Sequence, residues 1–350
     1  MILKRIKELK GNEIVARALV TPDYQMVLPE GAVLKLDYLD KLEELGIFEV
    51  YIREDEFKTE EMIILRSEVE LSVKSKVREI LGSHTYQKNK SLEELSKTAD
   101  RIISNILEEE KVIENVYDIK QHSSDIYEHS TNLCSLSILT ALKMKLNKNK
   151  IHDIGVACLL HDIGLRYLPK SFVNRKLEDY SKKEQIEYRK HPIYGYSALQ
   201  NETWISDISK DIILCHHERL DGTGYPLKKK DISPECRIVN VCDQFDEMIC
   251  GIGCSRMKVH EAIEYLKMFR KSKFDNRVVD VFLSLTAVYP AGSRIMTNEG
   301  EVGIVIRQNK NFQERPVLRI IKDKDGNAVK GVVVKDMVKV QTIFIEKVLE

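Results

Sequence analysis

The sequence predicts a mainly α fold, with an all-helical bundle core between a small α+β module and a small β-rich module. Three observations carry that prediction. Apolar residues recur at helical spacing through residues 92–107 and most of 115–287. Short β-branched runs broken by turn residues occupy both ends of the chain. The texture changes near Phe57 and again after Pro290, as expected where one packed layer gives way to another.

Residues 1–56 form the α+β module. Ile14-Val15-Ala16 and Met26-Val27-Leu28 predict short strands, with a turn at Pro29-Glu30-Gly31. Tyr38 to Leu45 predicts a short helix stopped by Gly46, and Phe48 to Ile52 a further strand. Residues 57–114 turn helical and highly charged. Leu92, Leu95, Ala99, Ile102, Ile103, Ile106 and Leu107 repeat as one amphipathic stripe, and Gly82 to Lys90 breaks the run upstream. The pattern leaves two roles open for this segment, a connector or the helical interface of a homodimer. Residues 115–287 hold the bundle core and every strong candidate ligand. Residues 288–350 form the β-rich module: Arg294 to Ile306 surrounds Asn298-Glu299-Gly300, and Val317–Ile321 and Val332–Val334 flank the hairpin signal Asp325-Gly326.

Apolar residues make up 43% of the 350, enough for a globular chain of two or three domains. Lys+Arg and Asp+Glu balance at 55 each, which argues against a nucleic-acid polymer held on a broad basic face. A small anion in a local pocket remains compatible with that balance. The seven cysteines form no C-x-x-C pair and lie mostly in apolar helical runs, as reduced, buried residues do. The charged start lacks the apolar core of a secretory signal. No run approaches the ~18 apolar residues of a membrane span. These features predict a cytoplasmic protein.

The chemistry centres on His161-Asp162, at the end of the apolar run Ile151 to Gly164. Adjacent imidazole and carboxylate suit a divalent transition metal, and Gly164 suits a left-handed helix end. The tetrapeptide His-Asp-Ile-Gly also occurs nine residues earlier, at His152 to Gly155. Nine steps of about 100° turn the second copy to the opposite side of a continuous helix. The copy at 161–162 follows the buried-type run Val156 to Leu160 and reads as functional; 152–153 reads as helix-start chemistry. Asp125 and His129, four apart, share a helix face. His191 precedes Pro192, which restricts it to an extended or turn conformation. His216-His217 closes the run Ile208 to Leu214, and neighbouring helical positions can approach adjacent metals from different directions. Asp243 lies in the apolar run Ile238 to Cys242, where a carboxylate is costly unless paired or metal-bound. Asp246, one turn on, has fewer apolar neighbours and is the weaker candidate. Between them, Leu220 to Pro226 offers two flexible glycines and the stacking face of Tyr225. His84, His122, His152 and His260 lie in polar stretches and read as surface residues.

This text resembles the HD-GYP family of cyclic dinucleotide phosphodiesterases. The matching segments are Glu128-His129-Ser130, Leu159 to Gly164, His191-Pro192, His216 to Pro226 and Asp243-Gln244-Phe245-Asp246, with Phe274-Asp275 and Val278-Val279 like the closing motif. The flanking modules resemble segments found with this domain in some bacterial members. The resemblance implies an HD-type helical core and a metal centre of iron or manganese, two or three ions, ligated by His129, His161, Asp162, His191, His216, His217 and Asp243. Asp162 would bridge two ions and act as the catalytic carboxylate. Asp125 stands where some members carry a glutamate supporting a third ion. Gly224, Tyr225 and Pro226 would contact substrate. The implied reaction opens cyclic di-GMP to linear pGpG and onward to GMP, two metals acidifying water and clamping the phosphate.

Two departures stand out. Leu165 replaces the usual lysine after His-Asp-x-Gly, and Gly251 to Lys258 replaces an Arg-Pro-Tyr-Arg segment. Arg166, Arg256 and Lys258 are the candidate replacement anchors. The departures keep two other readings open: a receptor for a cyclic dinucleotide with little turnover, and an HD hydrolase of another phosphoester.

Overall fold

The computed structural model describes residues 2–21, 26–53, 59–83, 90–109, 112–120, 125–168 and 179–349. The chain divides into two compact units, Met1–Ile63 with Val116–Gln121 and Thr286–Glu350, and Ile64–Asn115 with His122–Leu285. His84 and His122 lie outside the described residues.

The first unit begins with β1 (Ile2–Arg5), β2 (Ile14–Val15), β3 (Leu19–Val20), β4 (Met26–Leu28), α1 (Leu36–Glu44) and β5 (Glu49–Arg53). An antiparallel sheet of order β1-β5-β2 and the pair β3-β4 enclose Val15, Leu34, Leu42, Val50 and Ile52. The strand β1, Ile-Leu-Lys-Arg, has no alternation that would announce it. The C-terminal part adds β6 (Arg294–Thr297), β7 (Val302–Arg307), β8 (Val317–Lys322), β9 (Ala328–Asp336) and β10 (Ile345–Val348), an antiparallel sheet of order β10-β6-β7-β8-β9. The expected turns fall at Asn298–Gly300 and Asp325-Gly326, between β6 and β7 and between β8 and β9. Buried Asp118 ties the unit together. It accepts from Met62 N at 2.9 Å, Ala291 N at 2.7 Å and Gln308 Nε2 at 2.8 Å.

The second unit is helical: α2 (Ser67–Ser83), α3 (Glu94–Leu107), α4 (Ile126–Lys143), α5 (Lys148–Leu160), α6 (Lys182–Tyr188), α7 (His191–Leu199), α8 (Asp207–Cys215), α9 (Pro234–Cys250), α10 (Val259–Phe269) and α11 (Asn276–Leu285). The central helix α4, buried along most of its length, packs against α2, α3, α5, α9 and α11. Its neighbour α5 also meets α3 and α8, and α9 meets α8, α10 and α11. Lys74 of α2, 5% exposed, pairs with Glu70 and with Glu128 of α4 at 2.7 Å, pinning the turn that carries His129. The stripe on α3 (Leu95, Ala99, Ile102, Ile106) is buried within its own chain, where α3 packs on α2, α4 and α5. That face is therefore spent on the bundle and is not a free dimer surface.

A local expectation is overturned at His191. His191 is not extended but the first residue of α7, with Pro192 in the first turn. Proline is well suited there, because the first helical N–H groups need no intrahelical acceptor.

Candidate metal centre

Four helix ends and the middle of α9 bring the histidines and aspartates together. His161 caps the C-terminus of α5, His216 that of α8, and His191 opens α7. The same local device sets all three rings. Nδ1 of His161 donates to Cys158 O at 2.7 Å, Nδ1 of His191 to Tyr188 O at 2.9 Å, and Nδ1 of His216 to Ile213 O at 2.9 Å. The proton is thereby held on Nδ1 and each Nε2 turns its lone pair inward, the tautomer a metal ligand requires. His129, on α4, is held differently: its Nδ1 meets Asp246 Oδ2 at 2.7 Å.

The inward nitrogens crowd one another. His129 Nε2 lies 3.2 Å from His161 Nε2, and His191 Nε2 lies 3.2 Å from His216 Nε2. Asp162 stands between the two pairs. Its Oδ2 is 3.3 Å from His161 Nε2, while Oδ1 is 3.2 Å from His191 Nε2 and 3.9 Å from His216 Nε2. Asp243 joins from α9, with Oδ1 3.2 Å from His129 Nε2 and Oδ2 3.6 Å from His217 Nδ1. Ligand atoms of Asp162, His191, His216 and His217 fall within 4.8 Å of one another, as do those of His129, His161 and Asp243.

The donor set fits bound cations. Asp243 is fully buried, and among the described residues neither of its carboxylate oxygens has a hydrogen-bond partner. A buried carboxylate without a donor is costly, and the lone pairs of His191 Nε2 and His216 Nε2 face each other across 3.2 Å. A cation in each group satisfies both. Burial opposes charge on His129, yet Asp243 and Asp246 raise its pKa well above the ordinary imidazole value. Burial likewise opposes ionisation of Asp162, yet His161 and His191 hold its pKa well below the usual range. Burial and the neighbouring His161 lower His216 to about 3, which keeps that ring neutral and ligand-ready. Mixed imidazole and carboxylate donors suit iron, manganese or zinc more than calcium or magnesium.

Two glycines make the geometry reachable. Gly164 does not adopt the left-handed turn its position suggested; a 3-10 turn, Ile163–Tyr167, continues the chain. Its role is close approach, because a Cβ there would overlap His191 O and lie 2.7 Å from Gly195 N. Gly224 is equally confined, with Arg219 N, Glu218 Cα and His217 O where a Cβ would stand. Glu218 fixes the rest of that loop by accepting from Leu227 N at 2.6 Å and Lys229 N at 2.9 Å. Tyr225, which precedes Pro226 through a cis bond, stacks on His217 with ring centroids 4.5 Å apart.

The structure thus gathers His129, His161, Asp162, His191, His216, His217 and Asp243, with Tyr225 against them. Asp125 is not among them. It is the N-cap of α4, its Oδ1 accepting from Tyr127 N at 2.8 Å and Glu128 N at 2.9 Å, and it joins none of the ligand groups found among the described residues. Arg166 is turned to the end of α2, donating to Leu81 O and Gly82 O. Arg256 donates from Nε to Cys250 O at 3.3 Å, and Lys258 is the N-cap residue of α10. Helix-end carbonyls absorb the two arginine charges. Asp246, ranked below Asp243 in the sequence, orients His129, and Glu247 was not anticipated. Glu247 approaches His217 and Asp243, and burial together with Asp243 raises its pKa well above the ordinary value. Both lie one turn beyond Asp243, the spacing that could have revealed them.

Residues 112–278 match the family model of the HD domain, and 295–350 that of a KOW domain associated with the HD domain. A cyclic di-GMP phosphodiesterase of Pseudomonas aeruginosa is 31% identical over 230 residues, 64% of this chain and 55% of that protein. A cyclic di-GMP phosphodiesterase of Borreliella burgdorferi is 27% identical over 208 residues, 57% of this chain and 53% of that protein. The chain thus spans about half the length of these two relatives. A solved structure described as an HDG"Y"P protein from Bdellovibrio bacteriovorus shares the fold, with a TM-score of 0.54 at 21% identity, covering 80% of this chain and 97% of that one. The helical bundle and its buried histidine–aspartate cluster are those of an HD-domain protein. Within that class, residues 112–278 form an HD domain similar in sequence to cyclic di-GMP phosphodiesterases.

Proposed function

We propose that the HD domain is a metal-dependent phosphodiesterase that hydrolyses cyclic di-GMP to linear pGpG and onward to GMP, with two divalent ions of iron or manganese. One observation carries this reading: the two oxygens of Asp162 face separate histidine groups, 3.3 Å from His161 Nε2 and 3.2 Å from His191 Nε2. Bound there, such ions acidify water and neutralise a phosphodiester. The protein's own part is preorganisation. Carbonyls of Cys158, Tyr188 and Ile213 hold three imidazoles in one tautomer, and Asp246 holds a fourth ring. Asp162 would bridge the groups, and Tyr225 would offer the substrate a face beside His217. A base able to stack there fits the named activity of both curated relatives.

The test is direct. Protein purified and loaded with iron or manganese should convert cyclic di-GMP to pGpG, followed by chromatography. Failure to consume it with either metal rejects the reading. A second reading, a receptor with little turnover, draws support from Arg166 and Arg256, both spent on backbone carbonyls rather than on an anion. Isothermal titration separates the two: tight binding without product favours the receptor.

A further inference from the structure

A cyclic dinucleotide carries two phosphodiester charges, and a metal centre neutralises only the one it cleaves. The second needs a cation elsewhere, yet Arg166 and Arg256 are committed to helix-end carbonyls, and Lys258 is not free either. Arg219, 8% exposed, is committed as well, to His216 O, Glu218 O and Gln244 Oε1.

Arg189 differs from all of these. Its guanidinium lies over the Tyr225 ring, 5.7 Å from the centroid, and no described residue accepts a hydrogen bond or forms an ion pair with it. The side chain is exposed, but the backbone beneath it is fixed. Tyr188, immediately before it, is buried and accepts from His191 Nδ1. Tyr225 in turn stacks on His217. His217, Tyr225 and Arg189 therefore form a stack from the buried centre outward, ending in a guanidinium with five N–H donors that no described residue accepts from. We propose that Arg189 is a substrate-binding residue that takes the second, uncleaved phosphate of a cyclic dinucleotide, replacing the family's missing basic anchors.

This inference rests on the phosphodiesterase reading, and its test separates the two. Wild type and Arg189→Ala are compared on cyclic di-GMP and on bis(4-nitrophenyl) phosphate, a diester with one phosphate. Metal content and unfolding temperature serve as folding controls. Loss of a charge-assisted contact to phosphate should raise KM for cyclic di-GMP about tenfold or more. The ratio of the two KM values should shift by a similar factor, and Arg189→Lys should recover part of it. A ratio equal to wild type overturns the role of Arg189 while leaving the phosphodiesterase reading intact. If wild type turns over neither compound, the phosphodiesterase reading falls, and titration of cyclic di-GMP decides the rest. Weaker binding by Arg189→Ala then supports the anchor. Equal binding, or no binding by wild type, overturns it.

Discussion

The chain spells His-Asp-Ile-Gly twice, and the two copies meet opposite fates. At His152 the ring is 28% exposed, with Nε2 3.0 Å from Ser96 Oγ and 3.6 Å from Asp100 on α3. At His161 the ring is 1% exposed and joins His129, Asp162 and Asp243. The difference is one of position within α5. The first copy lies inside the helix, where Asp153 among the described residues pairs with its neighbour's ring at 3.8 Å. The second lies where the helix stops, so that His161 turns onto Cys158 O and Asp162 leaves the helical path to face two histidine groups. Identical letters carry chemistry only where the backbone ends pointing into a shared cavity.

The largest expected contrast is between the two aspartates. Asp162→Ala removes the oxygens that face both groups, and should abolish tight metal retention and lower turnover at least about a thousandfold. Asp153→Ala should leave both within about twofold. Elemental analysis and product chromatography on the two variants check this. Comparable metal loss in both would break the distinction between the copies.

A smaller contrast separates the glycines. Alanine at 164 drives a methyl group into the backbone of α7, at His191 O and Gly195 N, so Gly164→Ala should destabilise by about 3 kcal/mol and displace a metal ligand. At Gly155 the nearest atoms are side-chain carbons, Ala99 Cβ at 3.2 Å and Ile138 Cδ1 at 3.3 Å. These can shift, and alanine gains about 1 kcal/mol over glycine within a helix. Gly155→Ala should therefore change stability by less than about 1 kcal/mol in either direction. Urea denaturation of both variants measures the difference. An equal loss would mean that helix packing, rather than backbone approach, confines both sites.

How much of this could be read beforehand follows from the same contrast. His161, His216, His217 and Asp243 were legible because each sits at the end of an apolar run or within one, and buried polar groups need partners; His129 and His191 follow charged residues and were legible only through the resemblance. The bundle and the two hairpin-rich ends were legible from period and turn residues. Asp125 was not: an aspartate before a helix is equally a ligand and a cap, and only the folded chain shows it receiving Tyr127 N and Glu128 N. Arg166 was not either, because its acceptors lie at the end of α2, far upstream in sequence. Asp246 and Glu247 needed knowledge of which α9 face meets His129 and His217. Sequence spacing defines a face but not what packs upon it.

The mildest effect concerns protons. Burial opposes charge on His161, but Asp162 beside it raises its pKa above the ordinary value, and Asp243 and Asp246 do the same, more strongly, for His129. Without a cation these rings hold a proton more tightly than an ordinary imidazole, and a metal must displace whatever proton they hold. His216, near 3, and His217, well below the ordinary value, hold none. Metal uptake by the group of His129, His161 and Asp243 should therefore release protons, its affinity falling about tenfold per pH unit for each proton displaced as the solution is acidified. Ligation by His216 and His217 should depend far less on pH from neutrality down to about 5. Isothermal titration in buffers of different ionisation enthalpy counts the released protons. The count should be the same in His152→Gln, because the first copy holds no metal, and a changed count would draw that histidine back into the centre. Uptake without net proton release would show that the carboxylates around His129 and His161 do not hold protons on those rings.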